Sequence, residues 1–95
     1  MRAGRRRTEL EVRREHLLRL RAELTRLGVP THVNKPRNGR WQLRVRCGRW
    51  SETVLCAGAE GTYAYVTGHG RLLGPAHDAR YIARVLSWMV ERRSR

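Results

Sequence analysis

Arg40-Trp41-Gln42-Leu43-Arg44-Val45-Arg46-Cys47-Gly48-Arg49-Trp50-Ser51-Glu52-Thr53-Val54-Leu55-Cys56 is the stretch that decides the architecture. From 40 to 47, Trp41, Leu43, Val45 and Cys47 point one way and Arg40, Gln42, Arg44 and Arg46 the other. That period of two is the mark of a strand with one dry and one wet face. Gly48-Arg49 suits a type II′ turn, because Gly accepts the positive φ of the first central position. The turn sets Cys47 against Trp50, Val45 against Glu52, Leu43 against Val54 and Trp41 against Cys56. One face of the hairpin is then apolar except at Glu52. The other carries Arg44 and Arg46 against Thr53 and Ser51, with Leu55 beyond.

Upstream, a short edge strand is expected over 31–36, weakened by Pro36, and Asn38-Gly39 is a strong hairpin signal. Before it, Thr8-Glu9-Leu10-Glu11 forms a capping-box pattern. Leu10, Leu17, Leu20, Leu24 and Leu27 follow at helical spacing, with Leu18 widening the stripe, until Gly28 and Pro30 stop the helix. A helix over 9–27 is predicted. Downstream, Gly58 and Gly61 bracket a turn and 62–67 forms the next strand. A four-residue loop there turns Tyr63 and Tyr65 to the core; a loop one residue shorter turns them to the arginine face. Gly68, Gly70 and Gly74 read as a flexible connection through Arg71-Leu72-Leu73.

A second helix is predicted from Pro75 or Ala76 to about Arg92. Ala79, Ile82, Ala83, Leu86, Met89 and Val90 form its stripe. Tyr81, Val85 and Trp88 widen the apolar arc beyond one contact face, which points to a protein interface. The expected fold is two-layer α+β: an antiparallel sheet of three to four strands flanked by an N-terminal and a C-terminal helix, α-β-β-β(-β)-α. The chain divides into a basic flexible arm (1–7), one α+β domain (8–92) and a basic tail (93–95).

The chain has 95 residues, enough for one core, and no Phe, so Leu, Val, Trp and Tyr must supply the core volume. Its 21 Lys and Arg stand against 8 Asp and Glu, a net charge of +13. All the basic residues but Lys35 are Arg. A GC-rich genome accounts for Arg over Lys, but not for the imbalance, since such codons also supply acids. The charge sits on the sheet and the tails: +4 over 1–7, +5 over 28–74 and +3 over 92–95, against +1 over 8–27 and 0 over 75–91. Such a field attracts nucleic acid, an acidic protein or anionic lipid. No apolar run nears the ~20 residues of a membrane span. The segment after the first arginines alternates charged with apolar residues, unlike a secretory signal. Two cysteines are too few for a disulfide scaffold. A cytoplasmic location is expected.

The outward row Arg40, Arg44 and Arg46, with Lys35, Arg37 and Arg49 nearby, is the candidate nucleic-acid-binding set. Alternate strand positions repeat at roughly 6.6–7 Å, and guanidinium forks grip phosphate in pairs of hydrogen bonds. The competing explanation is a solvated face whose charges prevent aggregation. Tyr63 and Tyr65 could stack bases beside the arginines, although a chain without Phe needs those rings inside. Cys47, Cys56, His69 and His77, spaced C-x8-C-x12-H-x7-H, match no compact zinc module, so no metal or cofactor is expected. Glu52, on the apolar face, is the one carboxylate placed for a shifted pKa. No nucleophile, base and orienting group assemble around it or around His69 and His77, and no catalytic residue is assigned.

The order helix, strands, helix over 9–92 resembles the double-stranded-RNA-binding domain and small dimeric nucleoid-associated proteins. That RNA-binding family carries a lysine cluster at the start of its last helix. Here Gly74-Pro75-Ala76-His77-Asp78-Ala79-Arg80 stands instead, so no contact residue is carried over. The function expected from the residues is a non-enzymatic module that engages nucleic-acid backbone. The alternative is a protein-interaction subunit, homodimeric or bound to an acidic partner, that uses Tyr81, Val85 and Trp88.

Overall fold

The computed structural model describes residues 8–35 and 39–93, apart from the side chain of Cys47. The basic arm, Arg37 and Asn38 lie outside the described residues. Helix α1 spans Glu9–Arg26, strand β1 Thr31–Asn34, β2 Gln42–Cys47, β3 Trp50–Ala59, β4 Thr62–Thr67, β5 Leu72–Pro75 and helix α2 Ala79–Arg93. The result is α+β, with five antiparallel strands in the order β1-β2-β3-β4-β5.

Helix α1 starts as its sequence dictates. The Thr8 hydroxyl accepts the Glu11 N–H at 3.1 Å and the Glu11 carboxylate accepts the Thr8 N–H at 2.9 Å. Two otherwise orphaned donors are thereby satisfied. Leu17, Leu20 and Leu24 are fully buried, but Leu27 caps the helix and is exposed, so the expected stripe stops one turn early.

The central hairpin adopts the register that its alternation demands: Leu43 with Val54, Val45 with Glu52 and Cys47 with Trp50. Gly48 has φ 57° and Arg49 does not share the positive φ, the pattern of a type II′ turn. The next turn is two residues, Glu60 and Gly61, with φ of 53° and 83°. Its parity, the same as that of a four-residue loop, sends both tyrosines inward. Tyr65 is fully buried and its hydroxyl donates to the His16 carbonyl at 2.7 Å; Tyr63 is half-buried with its ring 5.1 Å from that of His16.

Several expectations are corrected. The strand after Thr31 ends at Asn34, two residues early. The strand through Arg40 and Trp41 begins only at Gln42, because β1 pairing stops at Asn34–Gln42. The connection after Gly68 is a tight loop closed by a Thr67 N–H bond to the Arg71 carbonyl, at 2.8 Å. It leads into a fifth strand, β5, rather than a flexible linker. A single 3-10 turn, Ala76–Asp78, precedes α2, and α2 runs on through Arg93.

Both helices cover one face of the sheet: α1 packs on β1, β2, β3 and α2, and α2 packs on β2 and β5. Leu17, Leu20 and Leu24 meet Ile82, Leu86 and Val90 over Leu43, Val45, Val54, Cys56 and Tyr65. The opposite face has no covering layer among the described residues. No described helix is long and apolar enough to cross a membrane.

Candidate nucleic-acid interface

The register fixes what the uncovered face presents. His32 lies beside Arg44, and Arg44 beside Thr53; Arg46 pairs with Ser51. Further along, Leu55 pairs with Val66, Val66 with Leu72, and Ala57 with Ala64. None of these outward positions is an acid. Glu52, the one carboxylate of the hairpin strands, points inward and is 9% exposed.

Arg44 and Arg46 are exposed, two residues apart on one strand and therefore ~7 Å apart. Arg49 is exposed at the turn. Among the described residues none of these three makes an ion pair. The ion pairs on the helices include Glu9 with Arg13 at 3.9 Å, and Glu23 with Arg26 at 3.7 Å and with Arg80 at 3.9 Å. The guanidinium groups on the sheet are thus open to an external anion.

The other candidates are placed elsewhere. Arg40 lies outside β2, beside Trp41, at a notch in the sheet edge. Lys35 follows β1 and sets its Nζ 5.7 Å from the centre of the Trp41 ring. The expected row of three arginines is therefore two, Arg44 and Arg46, continued by Arg49 at the turn. With Tyr63 and Tyr65 on the core side, the described strands carry no Phe, Tyr or Trp on the outward face, where His32 supplies an exposed imidazole beside Arg44. Two cationic positions escaped the sequence reading, Arg13 and Arg14. Arg13 could have been found, since it sits on the leucine stripe, three residues after Leu10 and four before Leu17.

Cys56 is buried, and that burial pushes its thiol up to about 11, with Arg13 pulling weakly the other way. A thiol so protonated near neutrality is a poor nucleophile. Burial raises the Tyr65 phenol still more strongly, with Cys56 adding to the effect. On α2, Tyr81 and Trp88 are each 57% exposed and Val85 is half-buried. The Arg92 guanidinium lies 4.9 Å over the Trp88 ring.

No protein-family model, curated protein or solved structure matches the chain, so the class is fixed by its own architecture and charge: a small, basic, two-layer α+β domain.

Proposed function

We propose that the chain is a non-enzymatic binding module that engages nucleic-acid backbone through the uncovered face of its sheet. One observation carries this reading: Arg44 and Arg46 stand outward on a strand face without carboxylates, with Arg49 exposed at the adjoining turn, and none of the three is paired with a described acid. A merely solubilising surface is better served by mixed signs, since scattered pairs lower the self-repulsion that a charge of +13 imposes. Phosphate contacts of this kind position a polyanion without reading bases. A cytoplasmic setting belongs to the same reading, supported by the free thiol of Cys56. The test is the slope of log affinity against log salt for a short duplex. Each phosphate contact removed flattens it by about 0.9. Arg44→Ala with Arg46→Ala lowers it measurably if the sheet is the contact surface, and leaves it unchanged if the tails alone bind.

The exposure of Tyr81 and Trp88 favours a second reading, a protein interface on α2. Aromatic anchors at i and i+7 on one helix face suit docking into a groove or onto a second helix. Light scattering at high micromolar concentration checks the homodimer form. A dimer that Trp88→Glu converts to monomer supports it, and a monomer from the outset counts against self-association.

A further inference from the structure

The uncovered face is cationic at one end and aliphatic at the other. Nearest the Gly48–Arg49 turn stand Arg46 and Ser51, followed by a cross-strand row of His32, Arg44 and Thr53. Leu55 comes two residues after Thr53 on β3, about 7 Å further along. There Leu55 pairs with Val66 and Val66 with Leu72, an unbroken aliphatic row across β3, β4 and β5. Beyond it Ala57 pairs with Ala64, and Ala64 with Pro75. Leu72 is 66% exposed, the most exposed large apolar side chain among the described residues, while Leu55 and Val66 are half-buried.

Arginines border this row on two sides. Arg44 lies one row away on β2, and Arg71 is exposed in the loop that enters β5, next to Leu72. The Arg71 N–H donates to the Thr67 hydroxyl at 3.0 Å, which ties that loop to the end of β4. Among the described residues, the side chains of Arg44, Arg46 and Arg71 take part in no ion pair. A lone exposed leucine is ordinary. A continuous aliphatic row beside unpaired guanidinium groups instead fits a ligand that is anionic and apolar at once. A duplex is not such a ligand, because its base faces are stacked inside and only sugar and phosphate can lie over the row. A single strand is, since its unstacked bases can lie on rings and apolar side chains while its phosphates meet arginine. His32, exposed beside Arg44, supplies one such ring.

We propose that the open sheet face binds single-stranded nucleic acid, with phosphates on Arg44, Arg46 and Arg71 and bases over His32, Leu55 and Leu72. The proposal rests on the reading of this face as a phosphate-contact surface and names the form of nucleic acid it takes. The bound strand crosses the sheet from β1 to β5. Four inter-strand spacings of ~4.8 Å make that path roughly 19 Å, the reach of a few nucleotides. The duplex of equal length carries twice the phosphates, so electrostatics alone ranks the duplex first. The apolar row reverses that order.

Fluorescence anisotropy of a labelled ten-nucleotide dT strand and of the matching ten-base-pair duplex, at one low salt concentration, gives the ratio of the two affinities. The single strand is expected to bind about tenfold more tightly, the lower part of what one base laid on a side chain contributes. Leu72→Ser with His32→Ser is expected to bring the ratio to one or below by weakening the single strand while leaving the duplex unchanged. Both side chains are exposed, so this variant is expected to keep the wild-type unfolding temperature. A wild-type ratio of one or below, or a ratio that the double variant does not move, overturns the proposal. The phosphate-contact reading survives either result if Arg44→Ala with Arg46→Ala weakens the duplex, and falls as well if that pair changes neither substrate. An unlabelled acidic peptide of equal charge, carrying leucines, is then used as competitor. It is expected to displace the dT strand only at far higher concentration than unlabelled dT does. Displacement at equal concentration assigns the face to an acidic protein segment and overturns nucleic acid as its occupant.

Discussion

Gly58→Ala is expected to destabilise the chain by about 3–5 kcal/mol, the sum of backbone strain and overpacking. Gly58 has φ 118°, which side-chain-bearing residues rarely adopt. A Cβ there collides with the Thr62 carbonyl oxygen and comes within 2.9 Å of the Tyr63 Cα. Both are backbone atoms of the neighbouring strand, so no rotamer change relieves the clash. The β3–β4 ladder must part, and that ladder holds Tyr65, the largest fully buried side chain, in the core. Domains of this size hold roughly 5–15 kcal/mol in total, so thermal unfolding is expected to move down by about 15–30 °C. Gly48→Ala is the internal control. Its φ of 57° is also positive, but nothing lies within 4 Å of its Cβ position, and about 1 kcal/mol is expected. Equal losses at the two sites would mean that the β3–β4 register differs from that described.

The second large effect is expected in binding. Arg44→Ala with Arg46→Ala removes two phosphate contacts, which flattens the salt slope by about 1.8. Hydrogen bonds to charged groups contribute ~1.5–3 kcal/mol where water is excluded. These two guanidinium groups are exposed and screened, so about 1 kcal/mol each is the better figure. Together that is roughly a thirtyfold loss of affinity at low salt, shrinking as salt rises. Arg26→Ala with Arg80→Ala removes the same formal charge from a site where both groups pair with Glu23. It is expected to change affinity far less. Similar losses from both pairs would mean that net charge, rather than the sheet face, governs binding.

The hairpin at the centre of the fold was legible pair by pair, because eight residues of unbroken alternation leave one register that keeps the apolar set on one side. The ends of that alternation were not. Arg40 and Trp41 continue the sequence period, but β1 pairing stops opposite Gln42. A side-chain period cannot show where a hydrogen-bond ladder ends. Strand β5 was hidden for a different reason. Leu72-Leu73-Gly74-Pro75 is four residues long with two residues that disfavour strands, so only its pairing with β4 identifies it. The tyrosines were ambiguous by a single residue of loop length, and the positive φ of Glu60, which residues with side chains seldom adopt, settled their side. The charge of the site was readable as a sum and as a row, but its division was not. Arg44 and Arg46 remain on the open face, while Arg40 and Lys35 gather with Arg13 and Arg14 around Trp41.

Backbone amide shifts followed during titration with a short duplex at low salt test the account most directly. Perturbations centred on His32, Arg44, Arg46, Arg49, Ser51 and Thr53, and fading as salt is added, are the predicted result. Shifts confined to Tyr81, Val85 and Trp88 on α2, or no shifts at all, would contradict it.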